Sequence, residues 1–167
     1  MKRTRITRLI AVPAWIGGVL VSLLVVAAPA LGDTQTKPLT IHTVGPPQSE
    51  VVTCLDNSCT MLRIIRTGPV TSNLAGKGTS QITLTRTFLA NGCSSADEVS
   101  TVTFAAGTIS THTPLPTTCA PPEGLLFNAP FVVTGGTGAF AGATGGGREF
   151  SSTGNPSPII YIGTITF

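Results

Sequence analysis

The run Phe131-Val132-Val133-Thr134-Gly135-Gly136-Thr137-Gly138-Ala139-Phe140-Ala141-Gly142-Ala143-Thr144-Gly145 constrains this chain more than any other stretch, because it joins two β-rich segments through glycines rather than through a helix. Glycine within strand-forming sequence marks a bulge, a barrel corner or a close approach of another group to the backbone. The run therefore points to a bent, closed sheet, with Gly135, Gly136, Gly138, Gly142 and Gly145 as its structural glycines. A phosphate-binding turn is the competing reading of Val132 to Gly138. That turn needs a helix N-terminus facing the pyrophosphate and a carboxylate about 20 residues further on. Here more glycines and a strand-like segment follow, so no nucleotide cofactor is expected. Calcium-binding glycine repeats need aspartates at fixed positions, and the run has none.

The rest of the chain agrees with a sheet protein. Thr79 to Leu89 alternates, with Ile82, Leu84, Arg86 and Phe88 on one parity and threonines on the other, as a half-buried strand does. Arg86 on the apolar parity fits a strand-end side chain snorkelling to water better than a buried functional charge. Short strands are expected at Val51 to Cys54 and Thr60 to Arg66. Glu98 to Phe104 and Gly107 to Thr113 form two further strands, or one strand bent at Ala105-Ala106-Gly107. Leu125 to Val133, Phe140 to Phe150 and Ile159 to Phe167 complete the set. Thr113 to Glu123 holds four prolines and reads as a loop, and no helix of ordinary length is expected. Seven or eight strands in so short a chain make a sandwich or a barrel, and the glycines favour an antiparallel barrel of about eight strands.

Residues 1–32 have the three parts of an export signal: Lys2, Arg3, Arg5 and Arg8, then the apolar stretch Ile16 to Ala28, then small residues around Ala28-Pro29-Ala30 or Ala30-Leu31-Gly32. A retained anchor is the alternative, but the stretch is shorter than the about 20 residues that span a bilayer. Residues 33–50, with Lys37-Pro38 and Gly45-Pro46-Pro47, read as an extended leader outside the core, and 51–167 as one barrel domain. The formal charge of +3 misleads about partners, since four of the ten basic residues lie in the signal. Beyond residue 32, six basic residues face seven acidic ones, a net charge of −1. Nucleic acid and anionic membranes have no electrostatic reason to bind such a chain.

All four cysteines fall after the signal, where an even number of thiols points to disulfides and a secreted, extracellular or periplasmic protein. Three connectivities are possible. The local pairs Cys54–Cys59 and Cys93–Cys119 are favoured, each flanking a loop. A zinc site is disfavoured, because there is no Cys-x-x-Cys pair and no suitable histidine spacing. A catalytic thiol would have to stay reduced in an oxidising compartment.

Gly135-Gly136-Thr137-Gly138-Ala139-Phe140-Ala141-Gly142-Ala143-Thr144-Gly145, followed by a last strand with Gly163-Thr164-Ile165, resembles the barrel shared by plant dirigent proteins and allene oxide cyclases, and in particular their bacterial secreted relatives. The specific likeness covers roughly the last 40 residues. It implies an eight-stranded antiparallel barrel with an apolar central cavity, often assembled as a homodimer or homotrimer. Dirigent proteins carry an acid directly after the Gly-Thr-Gly and an arginine after the later alanine. This chain has Ala139 and Thr144 there, so dirigent chemistry does not carry over.

The remaining polar residues offer little chemistry. His42 and His112 have no partner identifiable from sequence and read as surface histidines. If Phe140 and Phe150 point inward, Thr144 and Arg148 share their face, which makes Arg148 a candidate cavity charge. Tyr161 shares the parity of Gly163, Ile165 and Phe167 and is a candidate hydrogen-bond donor to a cavity, or a core or interface tyrosine. Phe140, Thr144, Arg148 and Tyr161 are thus the ligand-cavity candidates, with no catalytic residue assigned and no metal expected. The function expected is binding of a small hydrophobic molecule inside a secreted barrel. The alternatives are a cyclase or isomerase that works by conformational control of an apolar substrate, and a structural barrel with no ligand. An outer-membrane barrel is disfavoured because Trp15, the one tryptophan, lies in the signal and leaves no aromatic girdle.

Overall fold

The computed structural model describes residues 34–119, 126–152 and 158–167. The segment expected to be an export signal, 1–32, lies outside the described residues. Within them the chain forms nine strands: β1 (Thr36–Thr43), β2 (Ser49–Cys54), β3 (Met61–Ser72), β4 (Gly76–Phe88), β5 (Cys93–Phe104), β6 (Gly107–Cys119), β7 (Leu126–Gly136), β8 (Thr144–Ser152) and β9 (Ile159–Thr166). One 3-10 turn, Gly138–Phe140, stands between β7 and β8. No described helix is long and apolar enough to cross a membrane.

All strand pairings are antiparallel, in the order β1-β9-β8-β7-β6-β5-β4-β3-β2. Ile41–Thr43 of β1 also pair with Val70–Ser72 of β3, which closes eight strands into a barrel and leaves β2 as an extra strand on β3. One edge of β3 therefore serves two partners. Leu62 to Thr67 pair with β2 and Val70 to Ser72 with β1, and the two partners separate around Gly68-Pro69. The residues between them, Val44 to Gln48, cross the gap, with the Val44 and Gln48 amides donating to the carbonyls of Pro69 and Thr67 at 2.8 and 2.7 Å.

Inward-facing residues from seven of the eight strands of the ring, all but β8, supply the core, including Leu39, Ile41, Val70, Ile82, Val102, Ile109, Phe131, Val133 and Ile165. At the end that carries the 3-10 turn, Phe140 packs edge-on against Phe104 and Phe167, with centroids 6.1 and 5.3 Å apart. The glycine run thus ends β7 and then turns a phenylalanine into the barrel as a plug.

Two expectations are corrected. The leader at 33–50 contains β1, a full barrel strand whose Leu39 and Ile41 are completely buried. Pro38 is tolerated because β1 meets β3 only from Ile41 onward, so the edge beside the proline carries no ladder. The proline-rich segment from Thr113 is not a loop as far as Cys119: β6 runs through Pro114 and Pro116, with Pro114 opposite Asp97 of β5. Among the described residues β7 pairs with β6 only up to His112, which again leaves an edge that can accept prolines. Of the two readings left open for Glu98 to Thr113, the structure shows the first, two separate strands joined by a tight turn at Ala105-Ala106.

Candidate functional site

The strand pleat decides which side chains meet inside the barrel. On β8 the inner face carries Gly145, Gly147 and Glu149, which stand opposite the buried Val133, Phe131 and Ala129 of β7. Gly147 also stands opposite Gly163 of β9, and a Cβ on Gly147 would strike the Ile162 carbonyl and come within 2.5 Å of the Gly163 Cα, so the two strands approach where neither has a side chain. Counting alternation from Phe140 to Phe150 instead puts Thr144 and Arg148 inside. That count fails because the 3-10 turn and Ala141 to Ala143 are not strand, and the phase shifts by one residue across them.

Arg148 therefore lies on the outside, where its Nε donates to Asn128 Oδ1 at 2.5 Å and its terminal nitrogen to the Asn128 carbonyl at 2.9 Å. Thr144 is also exposed, and neither residue faces the interior. Phe140 and Tyr161 are buried. Of the five glycines, Gly135, Gly138, Gly142 and Gly145 have positive φ of 153°, 60°, 75° and 138°. Gly136 does not, and its constraint is space: a Cβ there would collide with the carbonyls of Phe140 and Thr108.

Glu149 was not among the sequence candidates, nor was Glu98, and the two are the main polar groups inside the barrel. Glu98 on β5 and Glu149 on β8 are 4% and 1% exposed. Tyr161 stands opposite Glu149 in the β8–β9 register and donates its hydroxyl proton across the barrel to Glu98 Oε1 at 2.5 Å. Ser100, Thr111 and Thr113 complete a buried polar layer. Burial, and then the charge of Glu149, push the Glu98 carboxyl up to about 8, against the opposing pull of the Tyr161 hydroxyl and the Arg66 charge. Burial also raises Glu149, with the neighbouring Thr113 hydroxyl opposing it. Tyr161 lies well above its ordinary value, again chiefly through burial. Alternation on β5 was the signal that could have found Glu98, since it shares the parity of Val102 and Phe104.

A second feature lies in the barrel wall. Where β1 and β2 part along β3 there is a cavity of about 370 Å³ lined by Thr43, Gly45-Pro46-Pro47, Thr67-Gly68-Pro69, Ser80, Ile82 and Ile159, together with Glu50 and Arg66. Arg66 Nε donates to Glu50 Oε2 at 2.5 Å, with both side chains partly exposed. This void reaches the core residues Ile82 and Ile159, whereas the barrel end at Phe140 is filled by aromatic and aliphatic side chains. Phe140, Thr144, Arg148 and Tyr161 are not in its lining. Sequence reasoning missed the cavity because its residues come from the segment taken for a leader, from β3 and β4, and from Ile159 at the start of β9, far along the chain.

Both favoured disulfides are formed, Cys54–Cys59 between β2 and β3 and Cys93–Cys119 between the paired ends of β5 and β6. They fit an oxidising extracellular or periplasmic environment. His42 is exposed, and His112 finds a partner in Asp97 across the β5–β6 pair, with Nε2 2.6 Å from Oδ1. Arg86 is half-buried with an inward Nε that has no hydrogen-bond partner. Comparison with known protein families and with curated proteins finds no match to this chain.

Proposed function

We propose that this chain is a secreted barrel of the allene oxide cyclase and dirigent type that binds a small, largely apolar molecule in the wall cavity between β1, β2 and β3. The carrying observation is the cavity itself, whose 370 Å³ falls within the about 300–1,000 Å³ typical of small-molecule sites. Its prolines, Ile82 and Ile159 offer apolar contact, and Thr43, Thr67 and Ser80 offer hydrogen bonds. The Arg66–Glu50 pair at its edge suits a ligand with one polar or anionic end. An export signal at 1–32 and two disulfides support secretion. Binding without chemistry is favoured over a cyclase or isomerase, because the two acids with raised pKa are enclosed and do not line the cavity.

A fluorescence titration with anilinonaphthalene sulfonate tests this reading, since the probe pairs an apolar ring system with an anionic group. Saturable binding at one site by the folded protein, weakened by Arg66→Ala, is the expected result. A folded protein with no saturable site, or one indifferent to Arg66, would count against it.

A further inference from the structure

We propose that the polar layer inside the barrel is a binding site for one hard metal cation, calcium, anchored by Glu149. Four of its residues occupy one patch of wall, since Ser100 stands opposite Thr111 and Glu98 opposite Thr113 in the β5–β6 register. Glu149 of β8, opposite the small Ala129 of β7, is close enough to that patch for the Thr113 hydroxyl to act on it and for its own charge to act on Glu98. The Tyr161 hydroxyl, bound to Glu98, draws the two sides of the layer together.

The second observation is that these groups are buried without partners. Among the described residues both carboxylate oxygens of Glu149 and the hydroxyl oxygens of Ser100, Thr111 and Thr113 have no partner in hydrogen-bond geometry, although each of these residues is only 1% exposed and Thr113 lies near enough to Glu149, and Ser100 to Tyr161, to act on its ionisation. A buried polar group left unpaired is destabilising, and a buried charge considerably more so. Five such atoms on one layer call for an occupant.

The donors name its chemistry. All are oxygens, two of the side chains are carboxyls that a bound cation would hold ionised, and no third acidic, histidine or cysteine side chain joins them among the described residues. Soft or borderline metals seek sulfur and imidazole and are poorly served. Calcium accepts 6–8 oxygens in flexible geometry and completes its shell with water, whereas magnesium demands strict octahedral geometry and sheds its water reluctantly. The site shares no residue with the wall cavity, so this inference does not rest on the ligand reading.

The test is equilibrium dialysis of chelator-stripped protein, purified from its own host, at one fixed pH, with elemental analysis of bound metal in separate calcium, magnesium and sodium arms. One calcium per chain is expected, with half-saturation at about 0.1–1 mM as in weak calcium modules. Glu149→Gln should abolish binding, and Thr113→Val, which keeps the side chain's shape, should weaken it about tenfold. Should Glu149→Gln fail to fold, Thr113→Val decides. The proposal is overturned if folded wild-type protein takes up no calcium at about 10 mM, if it prefers magnesium or sodium, or if the folded variants bind as wild type does.

Discussion

Tyr161 on the last strand and Glu98 on the fifth are joined across the barrel interior by a 2.5 Å hydrogen bond between groups 63 residues apart in sequence. The bond ties β9 to β5, which are not neighbours in the sheet. Removing the hydroxyl leaves Glu98 buried without its donor, so Tyr161→Phe should destabilise the fold by about 1–3 kcal/mol. Urea denaturation of the two proteins checks this, and an unchanged midpoint would mean that the bond contributes nothing net.

Glu98 also sets the direction of the pH dependence. Its carboxyl lies at about 8 in the folded chain against an ordinary 4.5, so between those values the folded state keeps a proton that the unfolded state has lost. This stabilisation is full below the lower value, falls as pH rises through the window and is gone above the higher one. Glu149 acts in the same direction, while Asp56, lowered chiefly by its bond from Thr60, acts at more acidic pH. With calcium chelated throughout, the urea midpoint should drop between about pH 5 and about pH 8, and Glu98→Gln should flatten the slope. A midpoint that rises over this range would contradict the burial of Glu98.

The glycines divide by mechanism. Gly142 has a φ of 75° with open space around it, so Gly142→Ala meets only backbone strain, about 1–2 kcal/mol. Gly136→Val drives a side chain into two carbonyls beside the Phe140 turn and should prevent folding or cost far more. Circular dichroism and thermal unfolding of the two variants separate these outcomes, and a Gly136→Val protein as stable as Gly142→Ala would refute the close approach.

The two disulfides differ in the loops they close, with sequence separations of 26 for Cys93–Cys119 and 5 for Cys54–Cys59. On the chain-entropy account, replacing the first pair by alanine costs about 3–4 kcal/mol and the second about 2 kcal/mol. Denaturation of the two double variants measures the difference, and the reverse order would show that native packing around the bridges outweighs loop length.

The barrel was legible because Ile82 and Leu84 alternate with threonines and because glycines stand where a helix would otherwise be needed. The cysteine pairs were legible because each lies close in sequence. β1 was not, since Pro38 and Gly45-Pro46-Pro47 hide the alternation of Leu39 and Ile41, and most of its pairing is with β9, more than a hundred residues away. The inward place of Glu149 was not legible either, because one turn of 3-10 helix resets the parity that separates it from Arg148. The wall cavity depends on two strands sharing one edge of β3, a long-range arrangement that no local pattern encodes.

Native mass spectrometry of the protein purified from its own host tests the central claim, that the wall cavity holds a small molecule. Gly68 lines that cavity, and a Cβ there makes only ordinary contacts, the nearest at 3.5 Å to the Pro47 Cα, so Gly68→Val should fold and partly fill the space. The account predicts a small-molecule adduct on the wild-type chain that is lost or much reduced in Gly68→Val. A wild-type chain without an adduct that also fails to bind the sulfonate probe, or an adduct unchanged by filling the cavity, would contradict it.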